Sequence, residues 1–293
     1  MTNTEALHDL TIAFIGSGTM GEAIIHALLG AGKVAPERIV ASDILVKRGE
    51  ELKARHGVRV TTDNIAAASE ADVVILSVKP QVLPSVMPDL CGHIQPDALV
   101  FSIVAGMPIS TISTGLDHAV VVRTMPNTPA QIGEGMTVWT AAPAVTEAQR
   151  AQAQAILQTM GLEMYVARED ALDMATAISG TGPTYVFLLM EAMVDAAVHM
   201  GFSRSQARLL VLQTVFGSVK FAQQSDVHLA RMRNMVTSPG GTSAEAIYQL
   251  EKGGMRTILS KAIWAAYKKS RLLGERAQQP AEGPLQVGGD GES

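Results

Sequence analysis

The chain has 293 residues, 47% of them hydrophobic and 17% charged, which is the composition of a folded globular protein with room for two domains. Its formal net charge of −5 provides no broad basic field, so nucleic acid and anionic membrane surfaces are not expected partners. Cys91 is the single cysteine, which excludes an intrachain disulfide and a cysteine-based metal cluster and fits a reducing compartment.

Neither a secretory signal nor a membrane span is predicted from the sequence. Residues 1–10 lack the basic and then apolar order of a signal sequence. The longest apolar stretch, 185–200, carries Glu191, Asp195 and His199 at four-residue spacing, so one polar stripe runs along an otherwise apolar helix. We therefore expect a cytoplasmic protein that does not contact a membrane, and we favour a subunit interface as the place where this helix is buried.

Apolar runs alternate with helical patterns, such as 23–29 and 146–160, over the first part of the chain. The runs predicted to be strands are short and lie at 11–15, 39–41, 58–60, 73–76, 99–104, 120–122, 135–141 and 163–166. Because parallel neighbours need a crossover connection, this alternation predicts a doubly wound α/β domain, with helices on both faces of a parallel sheet.

Beyond residue 168 the pattern changes to long helical segments, with no convincing strand between 172 and 273. We therefore predict a boundary near residue 168, with the α/β domain at 1–168 and an all-α helical domain at 169–276. The last segment, 277–293, contains four glycines and two prolines without sustained periodicity, which predicts a disordered tail.

The first predicted strand ends in a glycine motif, Gly16-x-Gly18-x-x-Gly21, that opens directly into a predicted helix. The first glycine permits a tight turn, the second lets a pyrophosphate approach the backbone, and the third allows close packing of helix against strand. The motif alone is weak evidence, but its place between a strand and a helix predicts a Rossmann-type dinucleotide-binding domain.

The second predicted strand leads into Ser42 and Asp43, where the adenosine ribose of a dinucleotide would lie. The Asp43 carboxylate would favour the free 2'-hydroxyl of NAD(H) over the 2'-phosphate of NADP(H), whereas Lys47 and Arg48 are near enough in sequence to offset it. The sequence leaves the preference between NAD(H) and NADP(H) open. Lys79 follows another buried strand and is expected on the cofactor side of the sheet.

Residues 236–243 combine hydroxyls with a proline-glycine-glycine turn ahead of a helix predicted to begin at Ala244. The glycines allow a tight turn, and the first amides of a helix have no partners within it and lie at its positive end. Such a turn binds a small anion, and a carboxylate would fit. The alternative interpretation is a capping box, because Thr242 and Glu245 have the required S/T-x-x-E spacing.

Six segments together resemble the pyrroline-5-carboxylate reductase family. They are IGSGTMGEAI, SVKPQ, VAG, RTMPNTP, ISGTGPTYVF and VTSPGGTSAEAI, in order within residues 11–273. The resemblance implies a Rossmann-type domain followed by an all-α dimerisation domain, assembled as a homodimer or as a larger ring such as a decamer built from dimers. It also implies reduction of 1-pyrroline-5-carboxylate to L-proline with NADPH or NADH and without a metal, the last step of proline biosynthesis.

The resemblance also assigns site residues. The expected cofactor-binding residues follow strand ends or open helices and are Ile15, Gly16, Ser17, Gly18, Thr19, Met20, Ser42, Asp43, Asn64, Ser77, Val78, Lys79, Pro80, Ile103, Val104 and Ala105. The expected substrate-binding residues lie in the second turn and are Ser238, Gly240, Gly241, Thr242 and Ser243. Ile44 departs from the family pattern, because many relatives carry there a basic residue that would meet the phosphate of NADP(H).

The imine nitrogen needs a proton, which water or the hydroxyls of Thr242 and Ser243 could supply, so these two residues are the catalytic candidates. A β-hydroxyacid dehydrogenase is disfavoured, because 179–187 lacks the lysine that such enzymes carry after a glycine of the interdomain helix. A reductase of other cyclic imines and a nicotinamide-binding regulator without catalysis remain as alternatives. The seven histidines show no metal-binding spacing, so no metal is expected.

Overall fold

The computed structural model describes residues 7–277, with side chains described for residues 7–275. The predicted tail, 277–293, lies outside the described residues except for Ala277, the last residue of a helix. The chain divides into two compact units: one comprises the residues up to Gly180 together with those from Tyr267 onward, and the other is Thr181–Ala266.

The first unit contains one sheet of eight strands. In chain order they are β1 (Ile12–Ile15), β2 (Ile39–Ser42), β3 (Arg59–Thr61), β4 (Val73–Leu76), β5 (Leu99–Ser102), β6 (Val121–Met125), β7 (Gly135–Ala141) and β8 (Gly161–Tyr165). Across the sheet the order is β3-β2-β1-β4-β5-β6-β7-β8. The order reverses between β1 and β4, and crevices at such a switch point are where doubly wound folds bind ligands.

The central strands are buried along their whole length, which explains why they read as continuous apolar runs. In the parallel register Ile12 pairs with Val73 and Ile15 with Leu76, so β1 and β4 end together at one edge of the sheet. Phe14 and Phe101 are the largest fully buried side chains of the core. The sequence prediction of these strands is confirmed to within one or two residues.

One part of the sheet differs from the prediction of parallel strands. β7 pairs antiparallel with β6, whereas the other neighbouring strands are parallel. The residues between β6 and β7 form only a short 3₁₀ turn, Thr128–Ile132, which is too short for the crossover that a parallel pair needs. The following connection contains a full helix, and β8 is parallel to β7.

Twelve α-helices are described. They are α1 (Thr19–Gly30), α2 (Val46–His56), α3 (Asn64–Ser69), α4 (Leu83–Leu90), α5 (Ile109–Leu116), α6 (Glu147–Gln158), α7 (Ala171–Ala175), α8 (Gly182–His199), α9 (Arg204–Gln223), α10 (Leu229–Met235), α11 (Thr242–Lys252) and α12 (Met255–Ala277). A π-helical turn, Thr176–Gly180, precedes α8. No strand occurs from residue 169 to residue 277, as predicted from the helical periodicity.

A buried arginine and its carboxylate partners link Ser270 to the sheet of the first unit. Arg123 in β6 is 5% exposed, and its guanidinium lies 2.8 Å from Glu169 and 3.8 Å from Asp173. Glu169 also accepts the amide of Ile109, and Asp173 accepts the hydroxyl of Ser270 in α12. Residues 169–180 therefore belong to the first unit. The boundary predicted near residue 168 corresponds to the point where the strands end.

The second unit exposes large apolar side chains in the single chain. Phe187 and Leu188 in α8 are 58% and 65% exposed, and Leu209 and Phe216 in α9 are 70% and 55% exposed. Exposed apolar surface of this extent on a folded protein indicates an interaction surface. Across the described residues, no helix is both long enough and apolar enough to cross a bilayer.

We expect Gly161→Ala to destabilise the sheet. Gly161 has φ of +131°, and a Cβ there would overlap the carbonyl oxygen of Gly135 in the neighbouring strand. The free energy of unfolding in urea should fall by roughly 2 kcal/mol or more. Gly30→Ala is the matched control, since no atom lies within 4 Å of the added Cβ and the change should stay within about 1 kcal/mol. Similar unfolding midpoints for the two variants would contradict the expectation.

Candidate active site

The turn from β1 into α1 passes directly over the end of β4. Gly16 has φ of +84°, and a Cβ at this position would lie 2.6 Å from a methyl carbon of Val78. The Ser77 hydroxyl donates to the carbonyl oxygen of Gly16 at 2.5 Å, and a Cβ on Gly21 would lie 3.2 Å from that hydroxyl oxygen. The first and third glycines are therefore required by close packing, as the motif predicts.

The second glycine leaves the backbone open. Gly18 is exposed, and no atom lies within 4 Å of the position its Cβ would take. It is the N-cap residue of α1, and no side chain caps the helix. Among the described hydrogen bonds, none takes the amides of Thr19 and Met20, which are left to a ligand at the positive end of the helix. This is a backbone cradle that fits a pyrophosphate.

A second set of contacts ties the same turn to the end of β2. The amides of Ser17 and Leu45 donate to the two carboxylate oxygens of Asp43, at 3.1 and 3.0 Å. The Ser17 hydroxyl donates to the carbonyl oxygen of Ser42 at 3.1 Å, and the Ser42 hydroxyl donates to the side-chain oxygen of Asn64 at 2.7 Å. Asp43 is therefore a structural anchor of the turn as well as a candidate for ribose binding.

The remaining predicted cofactor residues gather at the same edge of the sheet. Ile103 follows β5 and donates its amide to the carbonyl oxygen of Leu76 at 3.1 Å. Lys79 is exposed in the turn after β4. The predicted cofactor residues brought together at the ends of β1, β2, β4 and β5 are Ile15–Met20, Ser42, Asp43, Ser77–Pro80 and Ile103–Ala105, with Asn64 at the start of α3.

A charged cluster beside the turn was not found by sequence reasoning. Glu22, in the first turn of α1, accepts from Arg48 at 2.6 Å, from His56 at 3.0 Å and from Arg55. Burial alone would raise the pKa of Glu22, but the hydrogen bonds from these partners lower it from 4.5 to about 2. Arg48 also donates to the carbonyl oxygen of Ser17 at 2.8 Å, so the cluster supports the turn.

The predicted anion-binding turn lies in the second unit. Gly240 has φ of +69°, and the amide of Gly241 donates to the carbonyl oxygen of Ser238 at 3.1 Å, which closes the turn. Among the described hydrogen bonds, none takes the amides of Thr242 and Ser243, the first two residues of α11. The structure therefore offers two amides and nearby hydroxyls to a small anion.

The capping-box interpretation of this turn is wrong. Gly241 is the N-cap residue of α11, and no side chain caps the helix. Thr242 is already the first helical residue, so it is one position too late to accept the amide of Glu245 as a cap. The helix also begins two residues earlier than Ala244.

The structure places no metal-binding group among the residues it describes. Within residues 7–277, no group of three or more histidine, cysteine, aspartate or glutamate side chains is placed to hold a metal ion. Cys91 is exposed and free, far in sequence from both turns.

Two family models match the chain. One is described as pyrroline-5-carboxylate reductase dimerisation and matches residues 169–273. The other is described as NADP oxidoreductase, coenzyme F420-dependent, and matches residues 11–106. The two matched ranges correspond to the helical part of the chain and to strands β1–β5 of the sheet.

Named relatives cover nearly the whole chain. The chain is 39% identical to pyrroline-5-carboxylate reductase of Synechocystis sp., over 91% of this chain and 99% of that protein. It is 38% identical to that of Pseudomonas aeruginosa, over 92% and 98%. The chain belongs to the pyrroline-5-carboxylate reductase family.

Solved structures of the family have the same fold. A crystal structure of pyrroline carboxylate reductase from Plasmodium falciparum, with NADP bound, matches at a TM-score of 0.84 and 30% identity, over 92% of this chain and 99% of that chain. The pyrroline-5-carboxylate reductase of Coxiella burnetii matches at 0.81 and 36%, over 90% and 98%. The predicted resemblance and the predicted fold class are confirmed, and the roles of individual residues stay predictions.

We expect Glu22 to make folding sensitive to acid. Because its folded-state pKa is lowered from 4.5 to about 2, its stabilising contribution is present above pH 4.5 and is lost as the pH falls towards 2. When the pH is lowered from 5 to 2.5, the free energy of unfolding in urea should fall by roughly 1–2 kcal/mol more for the native chain than for Glu22→Gln. Equal losses of unfolding free energy in the two proteins would contradict a stabilising role for the Glu22 cluster.

Proposed function

We propose that this chain is a pyrroline-5-carboxylate reductase, an oxidoreductase that reduces the cyclic C=N bond of 1-pyrroline-5-carboxylate to give L-proline, the last step of proline biosynthesis. The observation that carries the proposal is the start of α11, where the Gly240 turn leaves the amides of Thr242 and Ser243 without partners. A carboxylate is the charged group that this substrate presents, and the relatives that match nearly the full length carry the name of this activity.

The cofactor in this proposal is a reduced nicotinamide dinucleotide, NADPH or NADH, which supplies the hydride when it is bound. The free amides of Thr19 and Met20, at the start of α1, would hold its pyrophosphate, and the open face of Gly18 would allow the approach. Ser77–Pro80 and Ile103–Ala105 would border it from the ends of β4 and β5. No metal takes part in this mechanism.

The substrate turn contributes orientation. Ser238 and Gly240–Ser243 would hold the carboxylate through backbone amides and hydroxyls, which restricts the orientation of the bound ring. The contribution of this turn to catalysis is then the orientation of the bound substrate, which reduces the entropic part of the barrier.

The imine nitrogen must gain one proton for each hydride transferred. Thr242 is exposed and Ser243 is half-buried at the start of α11, and their hydroxyls would donate this proton directly or pass it from water. Both hydroxyls lie at the helix start that carries the free amides. The amides that would bind the carboxylate therefore lie next to the proposed proton donor.

We also infer that the chain forms a homodimer and that larger assemblies, such as a decamer, are built from this dimer. We further infer that the protein is cytoplasmic. The exposed apolar side chains of α8 and α9, and the matched dimerisation model at 169–273, support this assembly. The single cysteine supports a reducing compartment. Sedimentation equilibrium should give an even multiple of the 30.9 kDa chain mass, and a stable monomer would contradict the inference.

We expect Gly241→Leu to separate substrate binding from cofactor binding. A Cβ on Gly241 would lie 2.5 Å from the hydroxyl oxygen of Ser238, so the larger side chain blocks the turn and leaves the glycine turn of the other unit unchanged. The KM for 1-pyrroline-5-carboxylate should rise at least about tenfold, since one lost charge-assisted contact is worth roughly 1.5–3 kcal/mol. The dissociation constant of the reduced cofactor should change less than about twofold.

The control for this variant is Gly30→Ala, which adds a side chain in open space. It should leave both constants unchanged. Equal loss of substrate and cofactor binding in Gly241→Leu would indicate misfolding and would remove the turn from the proposal. If the native chain turned over a different carboxylated imine faster than 1-pyrroline-5-carboxylate, that imine would be the substrate instead.

A further inference from the structure

The carboxylate of Asp43 is fixed at the end of β2 by two backbone amides. The amide of Ser17 donates to one of its oxygens at 3.1 Å and the amide of Leu45 to the other at 3.0 Å. Each carboxylate oxygen has a second lone pair, so both can still accept a hydroxyl. In Rossmann-type sheets, this is the position at which an acidic residue accepts the 2'-hydroxyl of the adenosine ribose. The carboxylate cannot rotate away from that position without releasing the turn.

The arginine that follows is already committed to other partners. Arg48 donates from Nε to the carbonyl oxygen of Ser17 at 2.8 Å and from Nη2 to Glu22 at 2.6 Å, and its side chain is 19% exposed. Glu22 stays ionised at neutral pH because its pKa is about 2. Arg48 Nη1 also lies 3.7 Å from a carboxylate oxygen of Glu51. Two carboxylates and one carbonyl oxygen therefore surround the guanidinium, and a ligand phosphate would compete with them for it.

The segment between these residues offers no other fixed cation. Ile44, Leu45 and Val46 are 84%, 63% and 63% exposed and carry no donor in their side chains. Lys47 is exposed in the first turn of α2, and the residues three and four positions later on the same face, Glu50 and Glu51, are both acidic. The lysine therefore lies on the outward, acidic face of the helix.

We propose that this chain binds NAD(H) in preference to NADP(H), with Asp43 as the residue that determines the specificity and Glu22 as the positioning residue that withholds Arg48 from a 2'-phosphate. The inference rests on the proposed function, because it concerns the cofactor site of that reaction. The dianionic 2'-phosphate of NADP(H) would lie against the fixed carboxylate of Asp43, and the nearby guanidinium of Arg48 is already paired. The ribose hydroxyls of NAD(H) would instead donate to that carboxylate.

The test is a direct binding measurement without any imine. Titration of the native protein with NADH and with NADPH, followed by nicotinamide fluorescence, should give a dissociation constant for NADPH at least about tenfold larger than that for NADH. Equal affinities, or tighter binding of NADPH, would overturn the inference. Tight and selective binding of NADH without reduction of pyrroline-5-carboxylate would leave this inference standing and would remove the proposed reaction.

Variants assign the preference to particular groups. Asp43→Asn removes the charge at similar shape and should bring the two dissociation constants to within about threefold of each other. Glu22→Gln should shift the ratio of the two dissociation constants about threefold towards NADPH, since it weakens the contact that withholds Arg48. An unchanged ratio of affinities in both variants would overturn the inference, and so would equal weakening of both cofactors by Asp43→Asn, because the carboxylate would then act only as an anchor of the turn.

Lys47→Ala is the matched control on the same helix. It removes a cation from the outward face and should leave the ratio of the two dissociation constants unchanged. A large further loss of NADPH affinity in this variant would show that Lys47 meets the phosphate, and this would contradict the account. Thermal unfolding of each variant shows whether the fold is intact, and Glu22→Gln keeps the test decisive if Asp43→Asn does not fold.

Discussion

The passage of the β1–α1 turn over the end of β4 is the constraint on which the proposed cofactor site depends. It is possible only because Gly16 has no Cβ, which would lie 2.6 Å from Val78, and because the Ser77 hydroxyl binds the Gly16 carbonyl. Once the turn is held there, the amides at the start of α1 face outward without partners. The same packing sets the distance between this helix start and the acidic end of β2, through the contact from Ser17 to Asp43.

The same physical feature occurs twice, since each proposed binding turn leads into a helix whose first amides have no described partner. At α1 the free amides follow Gly18, and at α11 they follow the turn closed by Gly241 and Ser238. Neither helix is capped by a side chain, which leaves the positive end to a ligand anion. Two carboxylates of the protein, in contrast, bind parts of the chain itself: Asp43 accepts from the turn and Asp173 accepts from Ser270 in α12.

The sequence predicted the strands well, because buried parallel strands read as apolar runs, and β4 and β7 were predicted with the same ends as in the structure. It did not predict the antiparallel direction of β7, which depends on the short turn at Thr128–Ile132. The cluster around Glu22 was missed because its partners lie 26 to 34 residues away and no local spacing encodes them. The capping box failed because glycine took the N-cap position, which the S/T-x-x-E spacing alone cannot reveal.

The most direct test of the account follows the hydride itself. The native protein is incubated with 1-pyrroline-5-carboxylate and a reduced nicotinamide cofactor that carries deuterium at the transferred position, and the product is examined by mass spectrometry and NMR. The account predicts L-proline with one deuterium on the ring carbon of the former C=N bond, formed in equal amount to the oxidised cofactor. Bound cofactor with no labelled proline would contradict it, since the fold and both turns would then serve some other reaction or none.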